Sequence, residues 1–329
     1  MEIVFLPRPE IDTYLWDKAV VEAKNAQIYG LSWFLDAACA LKSGKNSDNQ
    51  QWAGLVAGNY QAVMPLPIRK KMGISYVYQP DFVQQLGAFF SPDLSAAAVN
   101  QLSYQFLQRV GQQVKFADIM LNEGHFAAID YKENEPKTEL NIRINSLLPL
   151  QASYEVISRN FSGQTKRMLR RFTVSGLPQP QPISLQQATK LYQQVVLPKL
   201  PHVNNQFAIT RLLAISKAAQ QNKAVHVWGI PDPENSSEIC ASVVFLLGCN
   251  RLVYWLPAAL PYARQSGALY ALVNKIIQIY AGQPLLSLDF EGSMQPGIAR
   301  FFANFGANTV NYAHWRYNNL PYFLRWLKK

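Results

Sequence analysis

Leu288-Asp289-Phe290-Glu291-Gly292-Ser293 is the stretch on which the reading of this chain turns. Beyond Glu238, Asp289 and Glu291 are the only carboxylate side chains, in a region otherwise basic, aromatic and apolar. Two acids in such company are either a reactive pair or the neutralising partners of nearby arginines that hold a turn. If Leu285 to Glu291 is a strand, its two-residue period puts both acids on one face and Phe290 on the other. Gly292 and Ser293 end that strand, and Pro296 opens a helix.

Working outward, the same order of elements occurs twice. In the first half, Trp52 to Ala57 and Tyr60 to Ile68 read as strands joined at Gly58-Asn59, a two-residue hairpin turn. A third strand, Ile74 to Gln79, leads into an irregular loop, Pro80 to Pro92. A helix from about Leu94 to Gln112 and a strand from Lys115 to Leu121 follow. In the second half, strands Ala224 to Ile230, Ile239 to Leu247 and Arg251 to Leu256 precede an irregular loop, Pro257 to Ser266. A helix from Gly267 to Tyr280 then leads into the strand that carries the acids. Helices precede the strands in both halves: Tyr14 to Lys24 and Ser32 to Leu41, then Ser153 to Thr173, Ser184 to Val196 and Phe207 to Gln221. The Pro-rich run Leu177 to Pro182 is an extended spacer, and Glu139 to Leu150 carries the chain between halves. The pattern predicts an α+β protein of two similar lobes, residues 1–150 and 151–329, with the last ~20 residues packing back on the first.

The 329 residues are 49% hydrophobic and 16% charged, the balance of a globular protein and not of a disordered one. The longest apolar run, Ile239 to Leu247, is broken by Gly248-Cys249-Asn250-Arg251, so no transmembrane segment is expected, and Met1 to Arg8 has no signal-peptide pattern. Cys39, Cys240 and Cys249 form no CxxC and leave one unpaired, which fits a reduced, cytoplasmic compartment. The net charge of +10 is unevenly divided: residues 1–150 hold 13 Lys+Arg against 15 Asp+Glu, and residues 151–329 hold 18 against 6. A basic second half suggests an anionic partner: a nucleotide-bearing cofactor, an RNA or an acidic membrane surface. His125, His202, His226 and His314 are too scattered for a metal site, Gly44-Lys45-Asn46 is not a phosphate loop, and no GxSxG occurs.

Helices, a three-strand meander, a loop, a helix and a further strand are the plan of the GNAT acyltransferase fold. The chain resembles its FemABX-like branch, in which two such lobes occur in tandem. The acid stretch with Gly297-Ile298-Ala299-Arg300-Phe301-Phe302-Ala303-Asn304-Phe305-Gly306-Ala307 looks like that branch's "yDfgGs … glyrFKrgFG" ending. Arg167-Met168-Leu169-Arg170-Arg171 resembles its "RR-x-IR-K" helix, and Tyr78-Gln79-Pro80-Asp81-Phe82-Val83-Gln84-Gln85-Leu86-Gly87 resembles a bacterial subgroup. The resemblance implies an acyl carrier bound where two strands part, its phosphates at a helix start. In the second lobe that start is Arg264-Gln265-Ser266-Gly267-Ala268-Leu269; Arg264 and Gly267 match the family's Gln/Arg-x-x-Gly-x-Gly/Ala, and Leu269 does not. The first-lobe counterpart, Pro92 to Ala96, has acidic Asp93 and no arginine, so no coenzyme is expected there.

Asp289 and Glu291 would then take the amine's proton or hold its ammonium. The family's lysine after the helix phenylalanine is replaced by Phe302, a departure that counts against aminoacyl-tRNA as donor. The readings are acyl-CoA with an amine acceptor, aminoacyl-tRNA with a cell-wall precursor, and a non-catalytic protein that keeps the fold. Lys166, Arg167, Arg170 and Arg171 lie on neighbouring helix positions and either clamp substrate or tRNA phosphates or form a solvated face. Gln79, Gln84 and Gln85 either hydrogen-bond a peptide or sugar amine acceptor or pack within a closed turn. The run from Trp315 to the C-terminus alternates aromatic and basic residues, as core packing or membrane-surface contact.

Overall fold

The computed structural model describes residues 1–40, 51–71, 73–129, 137–200, 203, 206–322 and 324. Gly44-Lys45-Asn46, His202 and most of the C-terminal basic tail lie outside the described residues. In chain order the elements are β1 (Ile3–Pro7), α1 (Thr13–Glu22), α2 (Ser32–Cys39), β2 (Gln51–Ala57), β3 (Ala62–Lys71), β4 (Ile74–Tyr78) and β5 (Phe89–Phe90). Next come α3 (Ala96–Gln113), β6 (Phe116–Leu121), α4 (Glu123–Ala127), β7 (Thr138–Pro149), α5 (Tyr154–Arg159), α6 (Gly163–Thr173), β8 (Gln181–Pro182) and α7 (Leu185–Val195). The remainder are α8 (Gln206–Gln221), β9 (Val225–Pro231), β10 (Ile239–Gly248), β11 (Arg251–Ala259), α9 (Pro261–Gln265), α10 (Ala268–Tyr280), β12 (Ser287–Asp289), α11 (Pro296–Ala303) and β13 (Asn308–Asn318). The chain divides into two compact units, Met1–Arg143 with Asn311–Lys329, and Ile144–Val310.

In the first unit the strands run in the order β1-β2-β3-β4-β6-β13. All neighbours are antiparallel except β4 and β6, which run parallel. Ser95 caps α3 by accepting the Ala98 N–H at 3.2 Å. The buried residues Leu102, Phe106 and Val110 of α3 pack with Ala117, Ile119 and Leu121 of β6, alternate strand residues as one sheet face requires.

The second unit repeats the plan in the order β7-β12-β11-β10-β9-β8, with β11 and β12 parallel. Ile239 to Leu246 of β10 are all buried, because this strand has sheet neighbours on both sides and helices over it. Leu272, Val273, Ile276 and Ile277 of α10 join its core. Cys249 and Asn250 are both left-handed, at φ 53° and 57°, and turn β10 into β11 through the Gly248–Arg251 pair. Each unit is a mixed, mostly antiparallel sheet flanked by helices, as expected for two similar α+β lobes.

Several sequence expectations change. The helix expected over Ser153 to Thr173 is two, since Phe161 is buried and Ser162 starts α6 by capping Thr165 N–H at 3.2 Å. The irregular loop expected at Pro257 to Ser266 is strand to Ala259 and then α9. Pro257 is tolerated in β11 because β12 has already left that edge, so no ladder there needs its missing N–H. The seven-residue strand expected at Leu285 to Glu291 shrinks to Ser287–Asp289, since Leu285 and Glu291 both take φ of 62°. The acids therefore do not share a strand face. No helix among the described residues is long and apolar enough to cross a membrane.

Candidate functional site

β11 and β12 pair through Arg251–Ser287, Leu252–Leu288 and Val253–Asp289 and then part. β11 continues to Ala259, paired there with β10. Beyond Asp289 the chain leans the other way: the Phe290 N–H donates to Ser146 O of β7 at 2.9 Å. The resulting opening is filled by aromatic rings. Phe290 stacks on Phe302 at 4.9 Å, Tyr254 meets Phe290 at 5.7 Å, and Tyr270 of α10 meets Phe301 of α11 edge-on at 4.7 Å. Burial pushes the Tyr254 phenol well above the usual tyrosine range, so it stays protonated at neutral pH.

The two acids have different surroundings. Arg251 Nη1 donates to Asp289 Oδ2 at 2.8 Å, and the two side chains keep only 13% and 5% of their exposure. The other oxygen, Oδ1, accepts the Glu291 N–H at 2.9 Å and so fixes the turn that follows. Asp289 is thus a buried counter-ion that shapes the chain, with no oxygen left over from these two contacts. Glu291 is half-buried, and burial pushes its pKa up to about 8. Gly292 must be glycine: at φ 64°, a Cβ would collide with the Ile144 carbonyl oxygen.

The residues expected to meet a phosphate divide into two groups. Arg264 and Gln265 are exposed and Ser266 is partly so, whereas Gly267 and Ala268 are buried. The Ser266 and Gly267 amides already bond back to Tyr262 O at 3.0 Å and Arg264 O at 3.2 Å. The first intrahelical bond of α10 runs from Ala271 N to Gly267 O, so the amides of Ala268, Leu269 and Tyr270 precede the helical ladder. Gly267 takes φ 88°, and a Cβ there would lie 2.5 Å from Met168 O, which brings α6 hard against the tip of α10. On α6, Lys166, Arg167, Arg170 and Arg171 are all exposed. Lys166 Nζ donates to Arg159 O at 3.3 Å, Arg167 pairs with Gln164, and the last two sit at the helix's negative end.

In the first unit, β4 and β6 pair through Tyr76–Phe116, Val77–Ala117 and Tyr78–Asp118. There the following loop refills the gap. Gln79 N donates to Asp118 O at 3.1 Å, Gln79 Oε1 accepts Met120 N–H at 2.7 Å, and Leu86 N donates to Met120 O at 2.7 Å. Gln79 Nε2 also holds Val83 O and Gln84 O at 2.8 and 2.7 Å. Gln79 and Gln84 border a cavity of about 300 Å³ with Tyr78, Asp81, Asp118 and Tyr312. Gln85 does not: it is buried and accepts from Gln27 Nε2 at 3.0 Å, so it supports the loop from beneath.

Sequence reasoning overlooked Arg251, the lone cation opening an otherwise apolar strand, and that isolation was its signal. It also overlooked Asp118, which accepts from His314 Nε2 at 2.7 Å and Arg316 Nε at 3.1 Å. Burial alone would raise the Asp118 pKa, but these donors outweigh it and hold it low. The rows of residues that meet here are far apart in sequence, which no local pattern reveals. His125 is buried in a structural role, with Nδ1 accepting Ala88 N–H at 2.9 Å, and His226 meets the Tyr280 hydroxyl. Among the described residues no group of three or more His, Cys, Asp or Glu is placed to hold a metal.

No protein-family model matches the sequence, and no curated protein matches it by sequence. Solved structures are similar in fold. The crystal structure of FemX matches with 11% identity over 100% of both chains and a TM-score of 0.62. A conserved protein of unknown function from Bacteroides thetaiotaomicron matches with 9% identity over 96% of this chain and 100% of that one, at 0.54. The C-terminal domain of a putative lysylphosphatidylglycerol synthetase from Agrobacterium fabrum matches with 12% identity over 87% and 90%, at 0.50. The chain has the fold of FemX.

Proposed function

We propose that this chain transfers an acyl group to an amine, with acyl-CoA, acetyl-CoA among them, bound in the second unit. One observation carries the reading: β11 and β12 part at Asp289, with half-buried Glu291 two residues on. The donor's phosphates are assigned to Arg264, Gln265 and Ser266 and to the amide end of α10 at Ala268, with Gly267 giving the turn that leads into it. Asp289 positions the turn and Glu291 acts as the base. The amine nitrogen attacks the thioester carbonyl carbon, a C–N bond forms, and the C–S bond breaks to release the coenzyme thiolate. The proton lost by the amine goes to Glu291, directly or through water. With a pKa of about 8, Glu291 is poised near neutrality for that exchange. Gln79 and Gln84 are the proposed contacts to a small-molecule, peptide or sugar acceptor, with Gln85 holding their loop. A cytoplasmic setting belongs to the same reading, supported by Cys39, Cys240 and Cys249 forming no disulfide.

A second reading uses aminoacyl-tRNA, so that an ester C–O bond breaks and the ribose hydroxyl leaves. It is favoured by the exposed cations Lys166, Arg167, Arg170 and Arg171 and by the aromatic filling where a pantetheine arm would lie. Calorimetric titration with coenzyme A separates the two. Saturable binding, weakened about tenfold or more by Arg264→Glu, supports the first reading. Absence of coenzyme binding together with steeply salt-dependent retention of tRNA on filters supports the second. If neither binds and no amine acceptor turns over, the fold serves as a binding protein without chemistry.

A further inference from the structure

On the second unit a cleft of about 300 Å³ lies between α6 and α10, and none of the site residues above lines it. Leu169, Phe172 and Pro180 give it an apolar floor, with Ala271 beside them. Its lining carries one cation, three amide side chains that can donate, and Thr173, whose hydroxyl donates to Leu169 O at 3.0 Å. Lys275 is half-buried, its ammonium 5.9 Å from the centre of the Trp228 ring. Among the described residues no carboxylate pairs with it, and none lines the cleft. Asn274 Oδ1 accepts from the Tyr154 hydroxyl at 2.9 Å, which leaves its NH2 as the end that donates. Gln179 and Gln278 bring two further amides to the rim.

A cation drawn partly out of water, with only a ring face for company, gains from an anion more than an exposed lysine does. Around Lys275 the amides can donate from several sides, which suits the three outer oxygens of a phosphate better than the two of a carboxylate. The apolar floor suits an organic body attached to it. We propose that this cleft is a binding site for a small phosphate ester, with the phosphate at Lys275 and Asn274 and the body over Phe172 and Pro180. The site is independent of the acyl-transfer reading, which uses other residues.

The test is calorimetric titration of the full chain with phenyl phosphate, benzoate and inorganic phosphate. Phenyl phosphate should bind saturably, more tightly than inorganic phosphate, which lacks the body. Lys275→Gln and Gln278→Glu should each weaken it about tenfold or more. Lys275→Arg should retain most of the affinity, and Arg264→Glu should leave it unchanged. Gln278 is exposed, so its variant should fold whatever becomes of Lys275→Gln. Three results overturn the proposal: no saturation up to ~10 mM, affinity indifferent to both cleft variants, or affinity lost on Arg264→Glu. Benzoate binding as tightly as phenyl phosphate overturns the phosphate assignment.

Discussion

Both units let two parallel strands part just after an aspartate, and then treat the opening in opposite ways. In the first, the strands separate after Tyr78–Asp118 and the backbone from Gln79 to Leu86 is laid back along β6, with the Gln79 amide completing the ladder. In the second, they separate after Val253–Asp289 and the space receives side chains: Tyr254, Tyr270, Phe290, Phe301 and Phe302. The difference is one of cost. Reopening a backbone ladder strands donors and acceptors, each expensive when buried, whereas an aromatic ring can turn about its χ angles with the backbone in place. Side chains thus fill the second opening, whereas paired main chain refills the first and leaves the cavity beside Gln79 and Gln84 at its edge.

The largest effect expected from that asymmetry is on rate. Glu291→Gln keeps the shape of the second opening and removes its base, so amine acylation should fall ~10²–10⁴-fold. Asp93→Asn, before the first-unit helix that corresponds to α10, should leave steady-state turnover within about twofold, the scale of an exposed substitution. Equal losses in the two variants, or full activity in Glu291→Gln, would break the comparison.

The aspartates should separate next, this time in stability. Asp289→Asn leaves Arg251 charged and nearly dry, a loss of ~3–5 kcal/mol. Asp118 answers to His314 and Arg316, and the latter's side chain keeps 25% of its exposure, so Asp118→Asn should cost only ~1–2 kcal/mol. Urea unfolding of the two variants measures both, and a larger loss for Asp118→Asn would reverse the ranking.

How much of this was legible beforehand depends on which residues carry it. The hairpins announced themselves through turn residues and the helices through apolar spacing, because these are local signals. Gly58-Asn59, read as a two-residue turn, is half of a four-residue one that pairs Ala57 with Ala62, since Tyr60 is left-handed as well. The parting of β11 and β12 was inferred only from the family likeness, and Pro257 hid the length of β11 because a proline reads as a strand end. Asp289 and Glu291 stood out in the sequence as a pair. Their division of labour did not, since it rests on Arg251, 38 residues away, and on two left-handed residues, Glu291 and Gly292, one of them not glycine. A period-2 reading has no means of anticipating a turn that a side-chain carboxylate imposes on its own backbone.

The smallest effect is the one that distinguishes the units by pH. His125 in the first unit is buried and neutral, its pKa lowered to about 4 by burial despite the Ser103 carbonyl at its other nitrogen. Its unfolded form binds a proton near pH 6.5, so the stability it contributes is complete above that pH and lost as pH falls toward 4. Glu291 in the second unit runs the other way. Its folded pKa of about 8 lies above the unfolded 4.5, so its contribution is complete below 4.5 and lost as pH rises to 8. The water that Glu291 still sees reduces that loss to ~2 kcal/mol. Unfolding midpoints between pH 5 and 9 should therefore fall toward alkaline pH in the parent and flatten in Glu291→Gln. His125→Gln should flatten the acid limb alone. Were Glu291→Gln to keep the parent's alkaline slope, burial would not be raising the Glu291 pKa, and the opening would lose the feature that sets it apart from its counterpart.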